Sequence, residues 1–117
     1  MKSIYKENRP WGAFHVLAEG ENYKIKKIIV NPGKRMSYQF HNKRSECWII
    51  IEGTAKINLN DKIELFKKGD IIEIPIKAKH RVENINDSDL IFIEVQTGEY
   101  FGEDDIQRFE DDYNRVK

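Results

Sequence analysis

Short strand-like segments that end at turn residues follow one another along most of this chain, and this pattern limits its possible folds. One segment covers residues 23–30 and stops at Pro32 and Gly33, and another covers residues 47–51 and stops at Gly53. A turn about every eight to twelve residues is typical of an all-β sandwich or barrel. The segments predicted as strands are residues 23–30, 36–41, 47–51, 55–59, 63–66, 71–74, 81–84 and 90–96. Since the chain has 117 residues, we expect a single all-β domain over residues 1–117.

One segment near the end of the chain has a different pattern. Acidic residues 103–105 come first, and Ile106, Phe109 and Tyr113 follow at intervals of three and four residues. Negative charge at the start and apolar residues at helical spacing predict a short amphipathic C-terminal helix. We expect this helix to pack outside the barrel or across a subunit boundary.

The composition excludes several classes of protein. Lys plus Arg and Asp plus Glu are equal at 20 each, whereas a general nucleic-acid binder would carry a basic excess. The longest apolar run, residues 47–51, is far below the roughly 20 residues of a membrane span. No signal-peptide core follows Met1 and Lys2, and a single cysteine fits a reducing compartment. We therefore expect a cytoplasmic protein with no nucleic-acid or membrane partner.

Two spacing patterns lie on either side of the middle of the chain. The first contains Gly33, Gln39, His41, Glu46 and Gly53, with five, one, four and six residues between successive members. The second contains Gly69, Pro75, His80 and Asn84, with five, four and three residues between successive members. The chain has 3 histidines, and two of them lie in these patterns.

The polar members of these patterns can converge. Gln39 and His41 are two residues apart, so both side chains point to the same face of one strand. We expect residues 42–45 to form a polar turn that brings Glu46 into the next antiparallel strand, beside its partner. His80 then comes from a third strand, after a loop whose geometry is restricted by a proline.

Gln39, His41, Glu46 and His80 form a mixed nitrogen and oxygen ligand set with open positions for substrate or water. We expect this set to bind one divalent metal ion, with zinc as the first expectation and cobalt, manganese, iron or nickel as alternatives. Calcium and thiolate-preferring metals do not suit it. The alternative is a hydrogen-bonded polar barrel mouth that holds no metal.

Both patterns resemble the two motifs of the cupin superfamily, with Gln39 in the place usually held by the first histidine. The resemblance is closer to the type II mannose-6-phosphate isomerase domain, which is found at the C-terminus of mannose-1-phosphate guanylyltransferases. It runs nearly end to end, and the matching segments are residues 9–12, 23–26, 39–41, 44–46, 48, 53–55, 80–81, 94–100 and 102–106. The fold that it implies is a cupin double-stranded β-helix, or jelly-roll barrel.

Other residues also depart from these patterns. Lys77 stands where the second cupin motif usually has glycine, and Lys43 and Cys47 stand where the type II isomerase domain usually has histidine. If Lys43 replaces a metal ligand, Gln39 must supply the fourth contact. In a regular strand Cys47 faces away from Glu46, so we expect it to be a small buried hydrophobic residue.

The resemblance implies a metal-dependent isomerase that interconverts mannose 6-phosphate and fructose 6-phosphate through an enediolate. A bound metal can stabilise the enediolate, and a nearby base must move the proton. Glu94 is the candidate base, because Ile93 and Val95 take the opposite face of its strand. Lys26 and Lys43 are rivals, since a desolvated lysine has a lowered pKa.

The substrate phosphate requires cationic side chains. Arg9, Arg44 and Arg81 are candidates because a guanidinium can bind phosphate in a bidentate manner, and Lys43 is a further substrate-binding candidate. The alternative is that these arginines are ordinary surface residues.

Two other functional classes and the assembly state remain open. The chain could be a cupin that acts on another sugar phosphate or a nucleotide sugar, or a non-catalytic sugar-binding cupin, because a fold does not determine function. We also predict a homodimer that covers exposed strand edges. Its contact would involve the N-terminal strand or the C-terminal helix.

Overall fold

The computed structural model describes residues 4–113, and strands dominate this part of the chain. The strands are β1 (Tyr5–Arg9), β2 (Gly12–Glu19), β3 (Tyr23–Val30), β4 (Tyr38–Phe40), β5 (Arg44–Glu52), β6 (Ala55–Leu59), β7 (Lys62–Phe66), β8 (Ile71–Ile74), β9 (His80–Asn84), β10 (Leu90–Gly98) and β11 (Gln107–Glu110). Within residues 4–113 no helix has the length and apolar character that crossing a membrane requires.

These strands form two antiparallel sheets that face each other. The first sheet has six strands in the order β1-β2-β3-β10-β5-β8, and the second has five in the order β11-β4-β9-β6-β7. This arrangement confirms the prediction of an all-β jelly roll, and each predicted strand overlaps an observed one. The pattern of turns did not reveal β1, β2 and β11 as strands.

The hydrophobic core lies between the sheets because alternate residues of each strand point inward. Trp48 of β5 and Phe92 of β10 are fully buried, and their ring centroids are 4.6 Å apart. Ile50, Ile57 and Val82 extend this apolar cluster. Glu46 lies two residues from Trp48 on β5, and Glu94 lies two residues from Phe92 on β10. The buried, inward-facing residues are therefore acidic at this end of the interior, and the site is located here.

The predicted hairpin between Gln39 and Glu46 is wrong. β4 belongs to the five-stranded sheet and β5 to the six-stranded sheet, so residues 41–43 cross from one sheet to the other. The backbone N–H groups of Asn42 and Lys43 donate to the carboxylate of Asp105, over 3.1 and 2.9 Å. Because the Asp105 carboxylate accepts from both N–H groups, these groups do not form the backbone hydrogen bonds of a hairpin.

The predicted C-terminal helix is also wrong for the described part of the chain, because Gln107–Glu110 form β11. This strand pairs antiparallel with β4. Phe109 packs against Tyr38 and Phe40, with ring centroids 6.1 and 5.5 Å away. Ile106 and Phe109 are three residues apart, a spacing that a helix can bury on one face, but pairing with a free sheet edge overrides that local pattern.

The loop before β9 joins the two motifs. The backbone N–H of Lys77 donates to the carbonyl oxygen of His41 over 2.8 Å. Lys77 has a φ of 66°, in the left-handed region that glycine adopts without steric cost. This backbone conformation explains why glycine suits that position of the motif.

Candidate metal centre

A cavity opens between the sheets at the polar end of the interior. The polar residues that line it are Arg9, Lys26, Ser37, Gln39, His41, Arg44, Glu46, His80, Glu94, Glu103 and Arg108. They come from both sheets and from segments between strands, so the site depends on the packing of the whole sandwich.

Three of the predicted ligands meet in this cavity. The candidate ligand atoms of His41, Glu46 and His80 all lie within 4.8 Å of one another, and all three residues are buried. Nε2 of His41 is 3.4 Å from one carboxylate oxygen of Glu46, and Nε2 of His80 is 4.0 Å from the other. The ligands of a tetrahedral ion with bonds of about 2.1 Å lie about 3.4 Å apart. The pair of His41 and Glu46 already has this separation, and the other atoms of the cluster must move closer together to hold an ion.

The two imidazoles are held in the tautomer that a metal needs. Nδ1 of His41 lies 2.6 Å from the carbonyl oxygen of Asp105, and Nδ1 of His80 lies 3.0 Å from that of Ala78. A carbonyl oxygen only accepts, so each Nδ1 donates, and in the neutral ring the lone pair is left on Nε2. Burial lowers the pKa of His41 to about 4 and also lowers the pKa of His80. Both rings are therefore neutral at pH 7.

Glu46 is ionised despite its burial. Burial opposes its charge, but the Arg44 guanidinium holds the pKa of the Glu46 carboxyl well below its usual range. Nε of Arg44 donates to one carboxylate oxygen over 3.0 Å, and the indole N–H of Trp48 donates to the other over 2.9 Å. Two neutral imidazoles and one carboxylate are a set that suits zinc and similar ions.

Gln39 lies in the cavity wall directly opposite His80 in the pairing of β4 with β9. Its side-chain oxygen accepts a hydrogen bond from the hydroxyl of Ser37 over 3.2 Å. The structure therefore places Gln39 beside the cluster, and its role as a fourth ligand stays a prediction.

Glu94 and Lys26, the candidate proton-transfer residues, occupy neighbouring places on β10 and β3 and are both buried. Burial raises the pKa of Glu94 to about 8, and the negative charge of Glu46 contributes to the increase. The side-chain amide of Gln96 donates to Glu94 over 2.5 Å. Glu94 is thus mainly protonated at pH 7 and can act as a proton donor.

Two buried cations meet one carboxylate at the outer part of the cavity. Nζ of Lys26 and one terminal nitrogen of Arg44 lie 3.3 and 3.4 Å from the same oxygen of Glu103. Lys26 also lies over the ring of Phe14, 4.0 Å from its centroid. Arg9, the third predicted cation of the cavity, is paired with Glu7 at a distance of 2.5 Å.

Two predicted substrate-binding residues lie outside the cavity. Arg81 uses its guanidinium to donate to the carbonyl oxygens of Met36 and Glu110, over 2.9 and 3.0 Å. Lys43 is exposed and lies 5.1 Å from the ring centroid of Tyr100. The replacement of histidine by lysine at position 43 therefore leaves the three-residue cluster intact. Cys47 lies, as predicted, on the face of β5 opposite Glu46, but it is half-buried and not buried as expected.

Sequence reasoning missed Glu103, Asp105 and Arg108 as site residues, because it assigned the first two to a helix start. The segment 102–106 was part of the family resemblance, which was the available signal. Arg108 of β11 lines the cavity together with Ile106, which directly precedes that strand.

The comparisons with known proteins agree with this architecture. A family model described as "Mannose-6-phosphate isomerase C-terminal" matches residues 1–111. Mannose-1-phosphate guanylyltransferase 2 of Escherichia coli O157:H7 is 48% identical over 105 residues, which is 90% of this chain and 22% of that protein. The guanylyltransferase ManC of Salmonella typhimurium is 43% identical over 108 residues, which is 92% of this chain and 22% of that protein.

A solved structure supports the fold. The capsular polysaccharide assembling protein CapF of Staphylococcus aureus superimposes with a TM-score of 0.79 at 20% identity, and the match covers 94% of this chain and 33% of CapF. At this level of identity the likeness concerns the fold alone.

These relatives correct the predicted function. They are enzymes named as mannose-1-phosphate guanylyltransferases, and the chain spans about 22% of their length. The prediction of a metal-dependent mannose-6-phosphate isomerase that interconverts mannose 6-phosphate and fructose 6-phosphate is therefore wrong, since the named activity of the relatives is different. The match over residues 1–111 nevertheless shows that this chain belongs to the family of mannose-6-phosphate isomerase C-terminal domains.

Proposed function

We propose that this chain is a metal-binding cupin domain that binds and acts on a phosphorylated sugar of the mannose 1-phosphate type, or on a nucleotide sugar derived from one. The observation that carries this proposal is the convergence of His41, Glu46 and His80 beside two buried cations, Lys26 and Arg44. The names of the relatives suggest mannose 1-phosphate as the first ligand to test.

His41 and His80, through Nε2, and the carboxylate of Glu46 would hold the ion, with Gln39 as the candidate fourth ligand. The hydrogen bonds from Nδ1 to backbone carbonyls orient both imidazoles for this role. A divalent ion supplies Lewis-acid chemistry that polarises a bound sugar oxygen. Zinc is the expected ion for two imidazoles and one carboxylate.

The charges of Lys26, Arg44 and their carboxylate partners favour a dianionic ligand. Lys26 and Arg44 are balanced by Glu46 and Glu103, while Glu94 is protonated at neutral pH. A divalent ion would add positive charge that these residues do not neutralise. A phosphate ester carries close to two negative charges near pH 7 and would restore the balance.

Protonated Glu94 gives the site a proton donor next to the cations. It faces the same cavity as His41 and Glu46, and its strand position opposite Lys26 fixes its place. This arrangement supports acid–base chemistry on a bound sugar rather than binding alone.

The test combines metal analysis with calorimetry. Zinc-loaded protein should contain about one ion per chain, and His41→Ala and His80→Ala should contain almost none. The zinc-loaded protein should bind mannose 1-phosphate at least about tenfold more tightly than it binds mannose. It should also bind mannose 1-phosphate at least about tenfold more tightly than the metal-free protein does. Equal affinity for mannose and mannose 1-phosphate, or full metal content in both variants, would contradict the proposal.

A further inference from the structure

We propose that Glu103 occupies the position of the ligand's phosphate in the ligand-free protein, and that binding exchanges this carboxylate for the phosphate. This inference rests on the proposed function and identifies the phosphate subsite as the space between Lys26 and Arg44. The ligand class is a phosphate monoester or the diphosphate of a nucleotide sugar.

The first observation is that one oxygen of Glu103 contacts both cations, at 3.3 Å from Nζ of Lys26 and 3.4 Å from Arg44. The side chains of Lys26 and Arg44 are 3% and 5% exposed, whereas that of Glu103 is 47% exposed. The cations are therefore fixed in the protein interior, and their anionic partner reaches them from the solvent side. An external anion can approach from the same side.

The second observation is that the backbone around Glu103 is held independently of its side chain. The carboxylate of Asp105 accepts from the N–H groups of Asn42 and Lys43, and its carbonyl oxygen faces Nδ1 of His41. The N–H of Asp105 also donates to the carbonyl oxygen of Gly102 over 3.1 Å. Glu103 can thus rotate out of the cavity without breaking the contacts that hold this segment in place.

The third observation concerns the chemistry of the exchange. A phosphate offers more acceptor oxygens and more negative charge than a single carboxylate does. Nη1 of Arg44 and Nζ of Lys26, which share one oxygen of Glu103, can each bind a separate phosphate oxygen. Glu103, being half exposed, regains hydration when it leaves. The contacts of the phosphate and the renewed hydration of Glu103 both favour phosphate over the internal carboxylate.

The test is the isosteric substitution Glu103→Gln in the zinc-loaded protein. We expect it to bind inorganic phosphate and mannose 1-phosphate about threefold to tenfold more tightly than the unsubstituted protein, because the amide competes less for the cations. Calorimetry measures both affinities. Asp104→Asn is the matched control, since Asp104 lies on the same segment and accepts from the hydroxyl of Tyr100. Its affinities should stay within about twofold.

A readout that does not depend on measured affinity checks the movement itself. Phosphate should shift the backbone amide resonances of residues 102–105 in the unsubstituted protein, and these shifts should be smaller in Glu103→Gln. Thermal unfolding verifies that the variant is folded, and Glu103→Ala provides a second removal of the carboxylate. Unchanged or weaker phosphate binding by both Glu103→Gln and Glu103→Ala would overturn this inference. Metal-dependent binding of mannose 1-phosphate by the unsubstituted protein would still leave the proposed function standing. Absence of mannose 1-phosphate binding by all these proteins would overturn both.

Discussion

The two ends of the sandwich interior are built by the same strands but have opposite character. On β5, Trp48 belongs to the apolar end, and Glu46, two residues earlier, belongs to the site. On β10, Phe92 and Glu94 show the same change over the same distance. Because inward-facing residues of a strand are two positions apart, the apolar core sets the register that places each charged residue. The comparison teaches that the site is an extension of the core.

The largest expected effect comes from breaking the apolar end with Phe92→Ala. Phe92 is fully buried and packs against Trp48. Removing a buried aromatic ring should lower the free energy of unfolding by about 3–5 kcal/mol. Urea denaturation of the metal-free protein measures this loss. A loss below about 1 kcal/mol would mean that the apolar end does not support the sandwich as described.

The second effect comes from Trp48→Phe, which lies at the boundary between the two ends. The substitution keeps an aromatic ring in the core but removes the indole N–H that donates to Glu46 over 2.9 Å. Loss of a hydrogen bond that orients a ligand should weaken zinc binding about tenfold or more. Competition with a chelator measures this affinity, and Trp11→Phe serves as a control because its side chain has no hydrogen bond to Glu46 among the contacts of the described chain. Equal zinc affinity in Trp48→Phe and the unsubstituted protein would contradict the claim that a core residue orients the ligand Glu46.

The third effect is the pH dependence of stability that Glu94 confers on the polar end. Its pKa is about 8 in the folded protein, compared with 4.5 for the free side chain, so the folded state binds more protons in this interval. Stability of the metal-free protein should therefore fall as pH rises. Between pH 6.5 and 8, above the ordinary pKa of histidine, the slope should approach at most about 1.4 kcal/mol per pH unit. Urea titrations should show a flatter profile for Glu94→Gln, and identical slopes would contradict this explanation.

The smallest effect comes from Lys77→Gly, in the loop that connects His80 to the crossing between β4 and β5. Lysine in a left-handed conformation is strained, and glycine relieves the strain while it costs conformational entropy. We expect a gain of about 0.5–1 kcal/mol in unfolding free energy. Thermal unfolding measures it, with Lys79→Gly as the neighbouring control. A loss of stability equal to that of Lys79→Gly would show that the backbone is not strained at position 77.

Local patterns predicted the part of this molecule that depends on alternation. The two-residue spacing predicted that Gln39 and His41 share a face, and both line the cavity together with His80 of the second motif. Their role as metal ligands stays a prediction. The same alternation would have excluded Arg81 from the cavity, because it is adjacent to His80 on one strand.

The parts that were missed depend on contacts distant in sequence. Asp105 reaches the crossing at residues 42–43, and Glu103 reaches Lys26, 77 positions away in the sequence. Nothing in the local composition of residues 103–105 distinguishes these contacts from a charged helix start. Their positions become clear only when both sheets are assembled.

X-ray absorption spectroscopy of the zinc-loaded protein tests the central claim most directly. Two imidazoles and one carboxylate should give a first shell of nitrogen and oxygen atoms at about 2.0–2.2 Å, with outer-shell scattering from two imidazole rings. A sulfur atom at about 2.3 Å, which would implicate Cys47, or a shell without imidazole scattering would contradict the account.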